Sequence, residues 1–330
     1  MNIFVEQILE LMEVYDMMYK GVTIKSAGIC MPQKVLSNKF IEANADTTAN
    51  WIVEKLGIEE RRQVVNETVS DLGASAANKA ILRSGLSATD IDLIVVATSS
   101  PERISPSTAC TIHQKLGLSK NIPSFDLNAV CAGFVFAIQV CAPLITSGTY
   151  KNILIIGTET YSKITDWSHR NSVFFGDGAG AIILGESKKG WISSKIYSNG
   201  SGTGSTGFTC PINEKYKTNP KEVWEAAMTF LPNSIEEILQ ISKVSKEEIK
   251  MFFPHQASIN MIQQICDKVG LPHKKIKKVM HKYGNIAGAS IPIALEESIT
   301  NGEIVHGDKI LLTAIGSGWS WGSVVVNYEK

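Results

Sequence analysis

Apolar and polar positions alternate along the chain in blocks that predict strands followed by helices. Continuous apolar runs are typical of strands buried on both faces, and they occur at 91–98, 152–157, 248–254 and 309–315. Mixed three- and four-residue apolar spacing predicts helices between them, at 38–57, 70–84, 106–116 and 259–270. Strands that alternate with helices in this way indicate an α/β fold with helices on the faces of the sheets.

One stretch, 126–148, organises this pattern, because a cysteine stands where a strand passes into a helix. Cys131 follows the apolar strand at 123–127, and the run after it is apolar nearly all round, as expected of a buried helix. A cysteine in the first turn of a helix meets unpaired N–H groups and the positive end of the helix dipole, which favour the thiolate. We therefore interpret Cys131 as a nucleophile. The simpler alternative, a small core side chain, is our interpretation of Cys30, Cys110, Cys141, Cys210 and Cys266.

The last third of the chain repeats the order of elements in the first half. His255 follows the buried strand at 248–254, and Asn285 precedes a helix that ends at Gly302. Cys131 lies 17 residues before Gly148, and Asn285 lies 17 residues before Gly302. This self-similarity predicts an internal duplication. Because sites in such sheets form beyond the carboxyl ends of the strands, we expect Cys131, His255 and Asn285 to converge. The alternatives are a core histidine and a turn asparagine.

Composition excludes several classes of function. The 330 residues carry 32 basic and 32 acidic side chains, whereas nucleic-acid binders usually show a basic excess. Six cysteines without CxxC pairs predict neither a zinc site nor a disulfide scaffold, so we expect a cytoplasmic protein without a bound metal. Acidic residues interrupt the apolar N-terminus, which therefore predicts neither a signal peptide nor a membrane span. It is either a docking helix or, as we favour, a dispensable extension.

Two glycine-rich segments lie between the halves. The segment FGDGAG at 175–180 lacks the Lys and Ser/Thr of a phosphate-binding loop, so we interpret it as a tight turn before a strand at 181–184. The segment NGSGTGSTG at 199–207 predicts a flexible surface loop beside the pocket.

Five motifs give the chain a family resemblance. It resembles β-ketoacyl-acyl-carrier-protein synthase III, a condensing enzyme of the thiolase superfamily, over 22–328. The motifs are NAVCAGF, FGDGAGA, PHQAS, YGNIAGASIP and GSGWSWGS. The resemblance implies a homodimer with a five-layer αβαβα fold. It divides the chain into an extension at 1–21, a half carrying the cysteine at 22–190, and a half carrying the histidine and asparagine at 191–330.

The resemblance also implies a reaction. Cys131 would take the acyl group of an acyl-CoA and release CoA. A malonyl thioester, carried by acyl carrier protein, would then lose CO₂, and His255 and Asn285 would hydrogen-bond the enolate oxygen. Backbone N–H groups of Cys131 and Ser317 would bind the oxyanion. No cofactor is implied, since the CoA thioester is a substrate.

Further residues are implied to bind CoA: Trp51, Lys55, Arg170 and Ala257. Lys55 stands where the family has arginine, a group better suited to stacking and bidentate phosphate binding. Ser105 replaces a bulky residue that closes the acyl pocket across the dimer contact, which implies room for a longer or branched acyl group.

Other positions also depart from the family. Ser317 replaces a glycine of the oxyanion turn, and a backbone donor survives there if its φ is negative. Glu225 and Asn260 stand where basic residues commonly dock the carrier. Either another basic patch docks it (Lys215, Lys217 and Lys221, or 274–278), or the acceptor differs.

Three functions fit this sequence. Decarboxylating condensation is favoured, because simple acyl transfer to a hydroxyl or amine needs no enolate stabilisation by His255 and Asn285. A non-catalytic subunit of a heterodimer predicts a damaged site, whereas all three residues are present.

Overall fold

The computed structural model describes residues 18–118, 121–201 and 207–329. The strands are β1 Met18–Cys30, β2 Lys34–Ser37, β3 Glu60–Gln63, β4 Leu93–Ala97, β5 Ser124–Leu127, β6 Asn152–Thr160, β7 Asp177–Ser198, β8 Phe208–Thr209, β9 Lys217–Thr218, β10 Ile249–Pro254, β11 Lys309–Gly316 and β12 Ser320–Asn327. The helices are α1 Asn38–Asn44, α2 Ala49–Leu56, α3 Val69–Ser84, α4 Thr108–Lys115, α5 Gly133–Thr146, α6 Pro220–Ser242, α7 Ile259–Val269, α8 Met280–Tyr283 and α9 Ser290–Thr300.

Sheet topology reveals the duplication. In the first half the spatial order is β5, β4, β6, β7 and β1, with β4 parallel to both β5 and β6 and the remaining pairs antiparallel. In the second half the spatial order begins at Ile276, which forms a parallel bridge with β10, and continues with β10, β11, β12 and the end of β7. Again the first pairs are parallel and the last two antiparallel. The same order and directions recur, so the predicted duplicated α/β fold is confirmed.

Alternating side chains of the strands build five layers. On β4, Leu93 and Val95 join the central core with α5 and α9, whereas Ile94 and Val96 face the outer helices α3 and α4. On β11, Leu312 points into the central core and Leu311 toward α6 and α7. Helices therefore cover both faces of each half of the sheet, and the pair α5 and α9 lies between the halves.

The long strand β7 links the two halves. Its residues 177–185 pair with β6, and its residues 191–198 pair with β12. The predicted division at 190/191 falls inside this strand and stays a prediction. Residues 18–21, assigned to the extension from sequence, are part of β1, because Met18 pairs with Ser193. The predicted helix before them lies outside the described residues.

Two predicted helix boundaries are wrong. The single helix expected at 38–57 is α1 and α2, and the Thr48 side chain caps the second by accepting from the Trp51 N–H. Helix α3 is capped by Thr68 and not by Ser70, because Thr68 forms a capping box with Asp71. Within the described part of the chain, no helix has the length and apolar character needed to cross a bilayer.

Gly157→Ala tests the contact between the halves. A Cβ on this β6 residue would lie 2.5 Å from the Gly288 O and 3.0 Å from the Ala289 Cα, both backbone atoms of the second half. We expect the substitution to lower the free energy of unfolding by about 1–3 kcal/mol. Urea denaturation measures it. Gly200→Ala, with open space around its Cβ, is the matched control and should change stability little. Equal midpoints for the two variants would contradict a tight contact.

Candidate active site

Cys131, His255 and Asn285 line one cavity of about 480 Å³. Cys131 follows β5, and His255 directly follows β10. Asn285 is preceded by the short helix α8, but its backbone forms a parallel bridge with Phe175 next to β7. Two segments of the second half therefore bring an imidazole and a carboxamide to a thiol of the first half.

A strained turn presents Cys131. The N–H of Val130 donates to the Asn128 Oδ1 at 3.1 Å, and Val130 has a φ of +49°, a costly conformation for a β-branched residue. A three-residue turn, Val130–Ala132, then leads into α5 at Gly133. Cys131 thus lies just before the helix, in a turn that lines the cavity.

The second half uses the same turn for Asn285. Its Oδ1 accepts from the Ala287 N–H at 2.8 Å, Ala287 has a φ of +38°, and the turn Ala287–Ala289 leads into α9. Asn285 is therefore equivalent to Asn128, and Cys131 is equivalent to Gly288. The matched 17-residue spacings instead pair Cys131 with Asn285. They do so only because α9, with 11 residues, is shorter than α5, with 14.

The expected thiolate at Cys131 is opposed by its surroundings. Burial raises the pKa of the Cys131 thiol well above its ordinary value, and the Glu159 carboxylate raises it further. These two effects outweigh the hydrogen bond from the backbone N–H, which lowers the pKa of the thiol. The resting Cys131 side chain is therefore a neutral thiol.

Glu159 is a fully buried carboxyl group that sequence reasoning missed. It accepts from the Ser99 N–H at 3.1 Å, the Ser99 Oγ at 3.0 Å and the Ser100 Oγ at 2.5 Å. The Gly288 N–H also contributes, which connects Glu159 to the second half. Burial raises the pKa of Glu159 to about 7 despite these donors. A charged residue at the end of the apolar strand NILIIGTET was the available signal.

His255 is neutral at physiological pH. It is only 7% exposed, and burial lowers its pKa to about 4. Its backbone N–H donates to the Thr313 O at 2.8 Å on β11. Among the described residues, the buried Nδ1 has no hydrogen-bond partner, which leaves Nε2 as the ring nitrogen toward the cavity. The adjacent Gln256, also missed from sequence, fixes this loop by donating to the Pro254 O and accepting from the Val279 N–H.

The FGDGAG segment supports the backbone of Asn285, and it leads into a strand and not into the helix of a phosphate-binding loop. The Asn285 N–H donates to the Phe174 O at 3.0 Å, and the Asn285 O accepts from the Gly176 N–H at 3.0 Å. Strand β7 begins at Asp177, earlier than expected. Because Ala287 satisfies the Asn285 Oδ1, the amide NH₂ is the group available to a ligand.

The turn after β11 packs directly on the Cys131 backbone. A Cβ at Gly316 would lie 2.4 Å from the Ala129 O and 3.1 Å from the Cys131 N, so only glycine allows this approach. Ser317 lines the same cavity and does not have a positive φ. The condition set from the sequence, a φ that is not positive at Ser317, is therefore met, and its role in an oxyanion site stays a prediction.

The four predicted CoA-binding residues line the outer part of the cavity. The Arg170 Cζ lies 5.0 Å from the centroid of the Trp51 ring, and the Arg170 Nη1 donates to the Asp46 O at 2.9 Å. Lys55 supplies a second cation, and Ala257 follows the histidine loop. The described lining residues include no Asp or Glu, which favours an anionic ligand.

Ser105 does not line the cavity of a single chain. It is exposed, next to Ile104, which is 81% exposed. The predicted pocket role requires a second subunit and stays a prediction.

Comparison with known proteins identifies relatives over nearly the whole chain. Family models described as 3-oxoacyl-[acyl-carrier-protein (ACP)] synthase III and its C terminal match residues 125–200 and 239–328. A β-ketoacyl-[acyl-carrier-protein] synthase III of Clostridium acetobutylicum is 38% identical, covering 94% of this chain and 99% of that protein. The crystal structure of the Aquifex aeolicus synthase III is 35% identical, with a TM-score of 0.90, covering 93% of this chain and 100% of that one. The priming β-ketosynthase of the R1128 polyketide pathway is 27% identical, with a TM-score of 0.88, covering 93% and 96%.

A duplicated five-layer α/β fold, with cysteine, histidine and asparagine in one cavity, defines a condensing enzyme of the thiolase-like class. Two relatives narrow this class, since the Clostridium acetobutylicum and Aquifex aeolicus synthases are 38% and 35% identical to this chain over more than nine tenths of its length. The chain belongs to the β-ketoacyl-[acyl-carrier-protein] synthase III family and is a decarboxylating acyltransferase.

Glu159→Gln tests the electrostatic link between the buried carboxyl and the nucleophile. Removing the charge should lower the pKa of the Cys131 thiol and speed its alkylation about tenfold at alkaline pH. Because the Glu159 pKa is about 7, the wild-type carboxyl is protonated at lower pH, so the difference should shrink below pH 7. Mass spectrometry of the Cys131 peptide after iodoacetamide treatment, from pH 6 to 9, measures this.

The control for this experiment is Glu236→Gln. Glu236 lies on the outer helix α6, is largely exposed and approaches Lys246 at 4.0 Å, so its loss should leave the alkylation profile unchanged. Superimposable pH profiles for Glu159→Gln and wild type would mean that burial alone raises the pKa of the Cys131 thiol.

Proposed function

We propose that Cys131 is acylated by an acyl-CoA and that the acyl group is then condensed with the enolate of a malonyl thioester. The observation that carries this proposal is the common cavity of Cys131, His255 and Asn285. The thiol, the imidazole and the carboxamide come from separate segments of a fold that belongs to condensing enzymes. A nucleophile and two neutral hydrogen-bonding groups are what the two half-reactions need.

The first half-reaction begins with a neutral thiol. Because the pKa of Cys131 is raised, its proton must leave as the sulfur attacks the thioester carbonyl. The proton passes to the departing CoA sulfur, so CoA leaves as a thiol, and His255 keeps its Nε2–H for the second half-reaction. The backbone N–H groups of Cys131 and Ser317 stabilise the tetrahedral oxyanion, and its collapse gives the acyl-enzyme.

The second half-reaction depends on neutral donors. The malonyl thioester loses CO₂, and the resulting enolate oxygen accepts hydrogen bonds from the His255 Nε2–H and the Asn285 Nδ2. The enolate carbon attacks the acyl group, the bond to the Cys131 sulfur breaks, and a β-ketoacyl thioester leaves. The released Cys131 thiolate takes up a proton from solvent and returns to the neutral thiol. A histidine with a pKa of about 4 donates without first being charged.

The outer cavity accommodates the CoA portion of the substrate. The Trp51 ring lies beneath the Arg170 guanidinium, so a planar base can stack there. Lys55 and Arg170 attract the phosphates of CoA. Ala257 presents a small side chain beside the path to Cys131.

A homodimer forms through β5 in this proposal. Within the described residues β5 pairs only with β4, which leaves an edge strand with Phe125 39% exposed. Pairing with the same strand of a second copy covers this edge by twofold symmetry. It also brings the exposed Ser105 loop to the partner, where a small side chain leaves space for a long or branched acyl group. The six free cysteines fit a reducing cytoplasm.

Two other functions remain for comparison. A same-fold acyltransferase to a hydroxyl or amine would have no use for Asn285, whose backbone is held on both sides by 174–176. A non-catalytic subunit would not need the neutral His255 or the two backbone donors beside Cys131.

Acyl uptake is the direct test. Intact-mass spectrometry after incubation with acyl-CoA esters of increasing length and branching should show one added acyl group. Cys131→Ala should abolish uptake, because no other described thiol lines the cavity. Cys110→Ala, which removes an exposed thiol on α4, is the matched control and should be acylated like wild type.

The acylated protein is then given a malonyl thioester. Release of CO₂ with loss of the acyl mass supports condensation, whereas an intact acyl-enzyme without CO₂ favours transfer to another acceptor. Absence of acylation by every ester would favour the non-catalytic subunit.

We also propose that Lys217 and Lys221 dock the acyl carrier protein. They lie on β9 and at the start of α6, their side chains are 77% and 82% exposed, and Thr218 and Pro220 between them line the cavity. The alternative patch at 274–278 supplies no residue to the cavity lining, and two of its lysines are engaged elsewhere. The Lys275 Nζ donates to the Lys246 and Glu247 carbonyl oxygens, and the Lys277 Nζ pairs with Glu303 at 2.7 Å.

Charge reversal separates the two patches. Lys217→Glu with Lys221→Glu should raise the KM for malonyl carried on acyl carrier protein about 3- to 10-fold, because an acidic carrier loses electrostatic attraction. The KM for malonyl-CoA should change much less. Lys274→Glu with Lys278→Glu is the matched control. A larger effect of the control pair would move the docking surface to 274–278.

A further inference from the structure

The side chain of Ser317 links two parts of the site that backbone contacts leave separate. Its hydroxyl donates to the carbonyl oxygen of Phe208, the first residue of β8. Ser317 belongs to the turn whose Gly316 packs against the Cys131 N–H, and Phe208 belongs to a hairpin in which β8 pairs with β9. One side chain thus connects the oxyanion turn to the hairpin at the cavity.

The Phe208 ring lies where an acyl group must go. Its centroid is 5.3 Å from that of Tyr216, with the rings nearly parallel, and 5.8 Å from that of Phe175. Cys131 packs against this aromatic cluster, whose other member is the fully buried Tyr161. Phe208 and Cys131 both line the cavity. An acyl group on the Cys131 sulfur therefore extends beside these rings.

We propose that Ser317 is a positioning residue for acyl specificity: its hydroxyl fixes the hairpin against the oxyanion turn and holds Phe208 as a wall of the acyl site. This inference rests on the proposed acylation of Cys131. Phe175 and Tyr216 are buried and anchored, since Tyr216 donates through its hydroxyl to the Asn171 O at 2.6 Å. Phe208 is only half-buried, so the position of its backbone decides how close the ring lies to the acyl group.

The decisive measurement is kcat/KM for acylation across linear and branched acyl-CoA esters. Ser317→Ala should raise the ratio of long to acetyl substrates about 3- to 10-fold, the effect expected when one hydrogen bond no longer holds the wall. The readout is this ratio and not the absolute rate, because Ser317 also supplies a proposed oxyanion N–H. Ser317→Thr retains the hydroxyl and should restore the wild-type ratio. The control is Ser320→Ala, whose hydroxyl pairs with Ser198 at 3.0 Å away from the hairpin.

A double-mutant cycle tests whether Phe208 carries the effect. Phe208→Ala should shift the ratio in the same direction, and adding Ser317→Ala to it should change the ratio no further. Additive shifts would overturn the proposal, as would an equal loss for all substrates in Ser317→Ala, which would indicate a role in the oxyanion site alone.

Hydrogen exchange provides a readout that does not depend on the reaction. Amides at 207–218 should exchange faster in Ser317→Ala than in wild type, while those of α5 should not change. Unchanged exchange at 207–218 would overturn the proposal even if the enzyme is active. Wild-type protein that takes up no acyl group would instead overturn the proposed function, leaving the structural link to be judged by exchange alone.

Discussion

The active site depends on two reciprocal approaches of backbone to backbone across the halves. Gly157, on β6 of the first half, faces the Gly288 carbonyl in the turn of the second half. Gly316, at the end of β11 of the second half, faces the Ala129 carbonyl in the turn of the first. Strands β6 and β11 are equivalent in the duplicated topology, so each half supports the other's turn. These contacts hold the Cys131 turn and the Asn285 turn against the opposite half, and side-chain packing adds to them.

Burial leaves the Cys131 thiol and the His255 ring uncharged in the resting site, while Lys55 and Arg170 line the same cavity with positive charge. It raises the pKa of Cys131, raises that of Glu159 to about 7 and lowers that of His255 to about 4. The thiol and the imidazole are therefore neutral together and do not form an ion pair. Arg170 and Lys55 remain outside, where they attract an anionic substrate without stabilising a thiolate.

The sequence predicts the fold well, because the spacing of apolar residues indicates which positions are buried. Every strand of the five-layer fold repeats this pattern of burial. It also predicts Cys131, His255 and Asn285, since each is a polar residue at the end of an apolar run. It fails for the protonation state of Cys131, because a helix N-terminus is visible in sequence whereas desolvation depends on the neighbours. The hydroxyl of Ser317 could not be assigned either, since Phe208 lies 109 residues away.

The duplication provides two equivalent turns, and the chemistry arises from how they differ. In both, an asparagine Oδ1 accepts an N–H from a residue with positive φ, Val130 or Ala287, so each asparagine stabilises a strained turn. Asn128 is exposed and does only this, whereas Asn285 is 5% exposed and also offers its NH₂ to the cavity. The position that carries the thiol in the first half is Gly288 in the second, and its N–H contributes to holding Glu159. One turn thus carries the Cys131 thiol, and its copy holds the Asn285 carboxamide at the cavity.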